Sequence, residues 1–150
     1  MRLLDAASVS YNTYHFDASQ VLSGVEVANL LDVEPERVFK TLVTQGKSGA
    51  HYVFMIPVAE ELDLKKAALS VGEKAIAMIK SKELLGLTGY IHGGCSPLGM
   101  KKQFTTTIDE TASICDEIIF SGGKRGFQIE MSLEALQKVL AIKEADLTLR

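Results

Sequence analysis

Three short segments hold the residues best suited to chemistry. The longest, Thr88-Gly89-Tyr90-Ile91-His92-Gly93-Gly94-Cys95-Ser96-Pro97-Leu98-Gly99-Met100-Lys101-Lys102, carries four glycines and one proline. Glycine lets the backbone take positive φ and approach a ligand closely, and Pro97 stiffens the loop. Such a loop can present main-chain N–H groups to an anion, or to the oxyanion that forms when a carbonyl is attacked. It is equally what a tight connection between two elements requires. The second segment, Ser121-Gly122-Gly123-Lys124-Arg125-Gly126, lacks the Gly-x-x-x-x-Gly-Lys-Ser/Thr spacing of a phosphate-binding loop. It reads either as a hairpin turn with two basic residues or as a second backbone cradle facing the first. The third is Lys40, inside Val38-Phe39-Lys40-Thr41-Leu42-Val43. Strand alternation puts Lys40 with Val38 and Leu42, and puts Phe39, Thr41 and Val43 on the opposite face. A lysine in such company lays its stem over apolar surface at an edge, or reaches into a pocket as a fixed cation for a phosphate, carbonyl or carboxylate.

Other chemistries find less support. His92 and Cys95 have the two-residue gap of half a metal site, but His15, His51 and Cys115 offer no matching half, so no metal is expected. Cys95 has no charged neighbour in sequence to activate it and reads as a small buried hydrophobe. Ser96 is outside a Gly-x-Ser-x-Gly elbow. No Gly-x-Gly-x-x-Gly follows a strand, so no dinucleotide or other cofactor is expected.

The elements that must hold these segments fit within one domain, 1–150, since 150 residues form a single core of ordinary size. Tyr11 to Asp17 suggests a strand. Ser23, with Glu26 three residues later, marks the start of a helix through Leu31, closed by a proline-containing turn at Asp32 to Glu36. Val38–Thr44 and His51–Val58 form a hairpin around Gln45 to Ala50. Leu62–Val71 is helical up to Gly72, Ala75–Ile79 is a strand, and Ser81 caps a helix over Lys82–Leu87. Phe104–Asp109, Ile114–Phe120 and Gly126–Met131 read as strands, and Ser132 caps a final helix carrying Leu133, Leu136, Val139 and Leu140. Strands that alternate with helices in one part and pair as hairpins in another favour a mixed α/β (α+β) sheet with packed helices.

Composition narrows the setting. Forty-seven per cent hydrophobic and 23% charged residues are ordinary for a soluble domain and exclude a disordered chain or a disulfide scaffold. Two cysteines suit a reducing compartment, and neither a spanning apolar run nor a signal-peptide pattern is visible, so a cytoplasmic protein without membrane contact is expected. A net charge of -3 argues against a protein that grips nucleic acid by bulk electrostatics, and no DNA partner is expected. The charge is uneven, however: residues 1–39 hold 2 basic and 6 acidic side chains, 40–102 hold 9 and 5, and 103–150 hold 5 and 8. The window with Lys40 and the long glycine loop is locally positive.

Taken together, Phe39-Lys40-Thr41-Leu42, Gly93-Gly94-Cys95-Ser96-Pro97-Leu98-Gly99 with Lys101-Lys102, and Ser121-Gly122-Gly123-Lys124-Arg125-Gly126 occur in the order and spacing of the YbaK/EbsC family, and the resemblance runs from Tyr14 to the last helix. Members of that family are aminoacyl-tRNA deacylases related to the editing domain of bacterial prolyl-tRNA synthetases, and the sequence resembles the Cys-tRNA(Pro) deacylase type. The resemblance implies a mixed, curved β-sheet forming a partial barrel with flanking helices. It implies Lys40 as the catalytic lysine and Tyr14, Thr41, Gly93, Gly94, Ser96, Gly99, Ser121, Gly122 and Gly123 as the substrate-binding set. Lys101, Lys102, Lys124 and Arg125 are acceptor-stem contacts or solvated charge. The implied partners are mischarged tRNA(Pro) and, transiently, prolyl-tRNA synthetase. The chemistry implied for a cysteinyl ester is attack by the substrate's own thiol, releasing a thiolactone. A deacylase acting on another mischarged tRNA such as Ala-tRNA(Pro), a non-catalytic tRNA-binding module of the same fold and a general metabolite-binding protein are the other readings. One departure is Gln128, where some relatives carry an aspartate.

Overall fold

The computed structural model describes residues 2–20 and 23–149; Met1 and Arg150, the ends of the expected domain, lie outside the described residues. A short helix α1 (Arg2–Ala6) precedes β1 (Asn12–His15), a single 3-10 turn (Ala18–Gln20) and helix α2 (Gly24–Leu31). A 3-10 turn at Pro35–Arg37 leads into the hairpin of β2 (Phe39–Gly46) and β3 (His51–Pro57). Next come α3 (Leu64–Val71), β4 (Ile76–Met78) and α4 (Ser81–Thr88). The long glycine loop then reaches β5 (Thr105–Asp109), a 3-10 turn (Glu110–Ile114), β6 (Ile118–Ser121), β7 (Phe127–Met131), α5 (Leu133–Gln137) and β8 (Ile142–Ala145).

The strands make two sheets. A mixed five-stranded sheet runs β4-β2-β3-β5-β8, with β3, β5 and β8 mutually parallel; an antiparallel three-stranded sheet runs β1-β7-β6. The two touch through one bridge, Val38 to Ile119. The expected mixed α/β fold is present, but its hydrogen-bonded ladders stop at that bridge rather than closing round as a barrel. Phe39 and Met55 of one sheet and Ile118, Phe120, Ile129 and Met131 of the other meet in a shared core, which fixes the two sheets relative to each other. A second cluster puts Phe54 and Ile56 under Ala67 and Ala68 of α3.

Local signals explain most boundaries. The Ser23 hydroxyl accepts from the Glu26 N–H, the N-cap expected from the spacing, and donates to the Glu26 carboxylate. Asp63 caps α3 by accepting from the Lys65 and Lys66 amides, so the helix starts two residues later than the apolar pattern suggests. Ser81 is the first residue inside α4 and not its cap; extended Lys80 holds that position with no side-chain bond. Ile114 belongs to a 3-10 turn and is exposed, because the Asp109 carboxylate accepts from the Thr111 amide and hydroxyl and turns the chain before β6 begins. The final helix stops at Gln137, and Ile142–Ala145 instead pairs with the edge of β5. No helix of the described residues is long and apolar enough to cross a membrane.

Asp109 also anchors the tail. It is fully buried, and its second oxygen accepts from the Leu147 N–H at 2.9 Å. Leu147 in turn accepts from the Asp63 amide, and Leu149 donates to the Glu61 carbonyl, so this carboxylate holds the segment carrying Glu60 and Glu61. Replacing Asp109 with Ala strands those donors and is expected to cost about 3 kcal/mol in urea unfolding; a loss below about 1 kcal/mol would contradict the anchoring role.

Candidate functional site

The cavity that collects most of the chemically capable residues lies where β2 leaves its neighbour. β4 pairs with only Thr44–Gly46 of β2, so the edge from Phe39 to Leu42 is open on that side beyond the Val38 bridge. A cavity of about 400 Å³ follows this edge. Phe39, Lys40 and Thr41 form one wall, Val38 and Val58 extend it, and the start of α2 closes one end with Gly24 and Val27. Leu84 of α4 comes from another side, and His92, Gly93 and Cys95 from the first glycine loop. Ser121, Arg125 and Gln128 of the β6–β7 hairpin complete it. Residues of both faces of β2 contribute because the cavity wraps round a strand edge.

That edge has main-chain consequences. The Val58 N–H bonds the Val38 carbonyl, and the Gly46 N–H bonds the Ala50 carbonyl, so the even-numbered residues of β2 exchange bonds with β3. The N–H and C=O of Thr41 therefore face the open edge. Its hydroxyl is also buried without a hydrogen-bond partner, an arrangement that suits a ligand's polar group. Lys40, opposite Ile56 on β3, is half-buried, and its ammonium makes no hydrogen bond or ion pair among the described residues. Burial pulls its pKa below the ordinary lysine value, and the Glu61 and Glu60 carboxylates pull it part of the way back. An anionic or polarised oxygen brought into the cavity would relieve that desolvation.

The two glycine loops pack backbone to backbone. A Cβ on Gly94 would sit 3.1 Å from the Arg125 amide nitrogen and the Lys124 Cα. A Cβ on Gly122 would sit 2.4 Å from the Phe127 ring, and Gly123 adopts φ +117°, which side chains rarely do. Tyr90 fastens both loops. Its hydroxyl donates to the Leu98 carbonyl, and its atoms lie 3.0 Å from a Cβ built on Gly99 and 3.1 Å from one built on Gly123. The facing-cradle geometry is therefore present, and Tyr90, whose ring could be read from sequence only as one more aromatic in a loop, holds it.

The expected site residues divide. Lys40, Thr41, Gly93, Ser121 and Arg125 line the cavity. Gly94, Gly99, Gly122 and Gly123 form the loop packing just described. Ser96 is completely buried and its hydroxyl accepts from the Leu98 N–H, so it shapes its own loop and is absent from the cavity lining. Tyr14 stands behind the wall, packed in a cluster with Val38, Val58 and Ile119; burial and the neighbouring Glu130 carboxylate raise its pKa. Glu130 is held by Arg37, which also donates to the Glu117 carbonyl, so that network braces the sheet junction from outside the cavity. Lys101, Lys102 and Lys124 are exposed, the first lying over Gly89 and the last 6.0 Å from the Phe127 ring centroid. The Arg125 guanidinium donates to the Ala18 carbonyl, and the Arg125 side chain lies against Gly93.

Sequence reasoning missed Gly24, Val27, Val58 and Leu84, which reach the cavity only through tertiary packing. It noted Gln128 as a departure without placing it here. Cys95 packs with Val43, Val53 and Leu84, and burial pushes its thiol up to about 12, which leaves it protonated and a poor nucleophile. Among the described residues, no group of three His, Cys, Asp or Glu side chains could hold a metal ion. What the cavity offers is a set of hydrogen-bond donors and cations around apolar walls.

The family model described as the aminoacyl-tRNA editing domain matches residues 18–139. A protein of Enterococcus faecalis with the provisional name Cys-tRNA(Pro)/Cys-tRNA(Cys) deacylase EbsC is 46% identical over 149 residues, covering 99% of this chain and 91% of the relative. A proline–tRNA ligase of Kosmotoga olearia is 28% identical over 102 residues, 68% of this chain but only 17% of the ligase. A crystal structure described provisionally as a trans-editing enzyme for prolyl tRNA synthetase superposes with a TM-score of 0.83 at 26% identity, covering 93% of this chain and 87% of that one.

The role given to Tyr90 can be checked without any substrate. Tyr90→Phe keeps the ring and loses one hydrogen bond, about 1 kcal/mol, whereas Tyr90→Leu also loses the ring contacts and is expected to cost about 2–3 kcal/mol. Hydrogen exchange in Tyr90→Leu should rise in both 93–99 and 121–126; a rise confined to one loop would contradict the fastening.

Proposed function

The chain belongs to the aminoacyl-tRNA editing domain family, and from that premise we propose that residues 1–150 form one deacylase domain that clears cysteine from mischarged tRNA(Pro) in the cytoplasm. The observation that carries this reading is the cavity itself. Its half-buried Lys40, the open-edge N–H and unpartnered hydroxyl of Thr41, and the paired glycine loops supply donors for a developing oxyanion, while the only thiol lining it is held protonated. The near-complete alignment with a relative named for Cys-tRNA(Pro) and Cys-tRNA(Cys) supports the substrate.

A site rich in donors and poor in nucleophiles suits a substrate that brings its own nucleophile. In cysteinyl-tRNA the side-chain sulfur attacks the ester carbonyl, and its proton passes to the departing ribose oxygen. The carbon–oxygen bond breaks, leaving tRNA with a free hydroxyl and a four-membered thiolactone, which water then opens to cysteine. Intramolecular attack gains from proximity, several kcal/mol in favourable cases, and the enzyme contributes by fixing the thiol near the carbonyl and stabilising the oxyanion. Lys40 and Thr41 do this work in the proposal, with Gly93 and Ser121 shaping the pocket. Tyr14, Gly94, Ser96, Gly99, Gly122 and Gly123 hold the walls and loops, and Arg125, Lys124, Lys101 and Lys102 meet the acceptor stem. With a net charge of -3 the chain has a weak grip on free tRNA, and a transient complex with prolyl-tRNA synthetase supplies the remainder.

A panel of tRNA(Pro) charged with Cys, Ala, Ser or Pro tests this. Cys-tRNA(Pro) is expected to be cleaved at least about 30-fold faster than the Ser ester, which differs by one atom and lacks the thiol. Lys40→Ala is expected to lower kcat/KM on the Cys ester about 100-fold. Equal turnover of the Ser and Cys esters would rule out substrate-thiol chemistry, preferential cleavage of the Ala ester would favour the Ala-tRNA(Pro) deacylase, and normal activity in Lys40→Ala would remove the lysine from the mechanism.

A further inference from the structure

The cavity takes an amino-acid ester, yet among the described residues none of its lining side chains is a carboxylate. Its charged or chargeable groups are Lys40 from β2, Arg125 from the β6–β7 turn and His92 from the first glycine loop, all of cationic type, and the Cys95 thiol, which burial keeps neutral. Glu60 and Glu61 act on Lys40 from the segment after β3 and do not line the cavity. An α-ammonium group bound here would meet like charge and no counter-ion, which disfavours it.

What the cavity does hold is a neutral amide. Gln128 is 7% exposed and lines the cavity, and its side-chain amide makes no hydrogen bond among the described residues. It lies directly across the β6–β7 ladder from Ser121, so the two side chains share a face. The Ser121 oxygen is occupied as acceptor by the Gly123 N–H, which leaves its hydroxyl proton to donate. An amide that lines the cavity without a protein partner is free to bond a ligand group. Its oxygen can accept from an uncharged nitrogen, and its N–H₂ and the Ser121 hydroxyl can donate to a carbonyl attached to that nitrogen.

We propose that Gln128 recognises the substrate's α-nitrogen in uncharged form, and that this chain therefore also cleaves aminoacyl-tRNA whose nitrogen is acylated. The inference rests on the deacylase reading and adds to it a substrate class, N-acyl-cysteinyl esters of tRNA. Gln128 is a specificity residue in this scheme; acylation leaves the thiol and the ester carbonyl free to react.

The test compares Cys-tRNA(Pro) with N-acetyl-Cys-tRNA(Pro), thiol free in both, using the full-length wild type and Gln128→Asp at one pH near neutrality. Wild type is expected to give kcat/KM values within about tenfold of each other, and Gln128→Asp, which supplies a counter-ion for an ammonium, to shift the ratio at least about tenfold toward the free amine. If the free-amine ester is cleaved and the acetylated one is more than about tenfold slower in wild type, the inference is overturned while the deacylase reading stands. A ratio unmoved in folded Gln128→Asp overturns it as well. Should neither ester be cleaved, the deacylase reading fails and the inference with it.

Discussion

A backbone nitrogen lies 3.1 Å from where a Cβ on Gly94 would be, and the geometry of the cavity follows from that close approach. It brings the long loop after α4 against the β6–β7 turn without intervening side chains, so Gly93 and Cys95 of one loop and Ser121 and Arg125 of the other can line the same space. The contact would be unstable if left to two flexible loops, because ordering them costs about 1–2 kcal/mol per residue. Several bonds offset that cost. Tyr90 reaches the Leu98 carbonyl, Ser96 receives the Leu98 amide, the Thr88 carbonyl receives the Lys101 amide, and the Gly122 amide closes on the Phe127 carbonyl. The loops are therefore part of the rigid frame, and the cavity is preformed.

Charge is arranged around the same frame. The chain as a whole is acidic, yet among the described residues the cavity lining contains cations and no carboxylate. Lys40 bears part of its desolvation uncompensated, moderated by Glu60 and Glu61 on a segment that the Asp109-anchored tail holds in place. A fixed, poorly solvated cation next to an open strand edge stabilises negative charge that appears during a reaction more than charge already present and solvated beforehand. That preference connects the mixed sheet, whose β4 is too short to cover β2, with the chemistry proposed for the cavity.

Much of this was legible in the chain. The β2–β3 hairpin, the Ser23 N-cap and the strands at 105–109 and 127–131 rest on local patterns that tertiary packing reinforces, and Lys40 and both glycine segments stood out by residue type. Other features were not legible because their cause is long-range. β8 carries two charged residues in four and forms a strand only because β5 presents an edge. The 3-10 turn at Glu110–Ile114 depends on a buried aspartate whose partners include an amide 38 residues away. Tyr14 and Ser96 entered the expected set through the family resemblance; the structure packs half-buried Tyr14 with Val38, Val58 and Ile119 and uses the Ser96 hydroxyl within its own loop, and neither is among the residues that line the cavity. Gln128 carried no signal of its own, since an isolated glutamine in a strand is ordinary until its amide is found lining the cavity.

The central claim is that backbone proximity of the two glycine loops creates the reactive cavity. Single-turnover cleavage of Cys-tRNA(Pro) by Gly94→Val, with urea unfolding measured in parallel, tests it most directly. The side chain has no space beside Lys124 and Arg125, so the loops must separate. The expected result is a loss of at least about 100-fold in the cleavage rate in protein that remains folded, since a displacement of about 1 Å at a reacting centre has effects of that size. A folded Gly94→Val that cleaves at the wild-type rate would contradict the account.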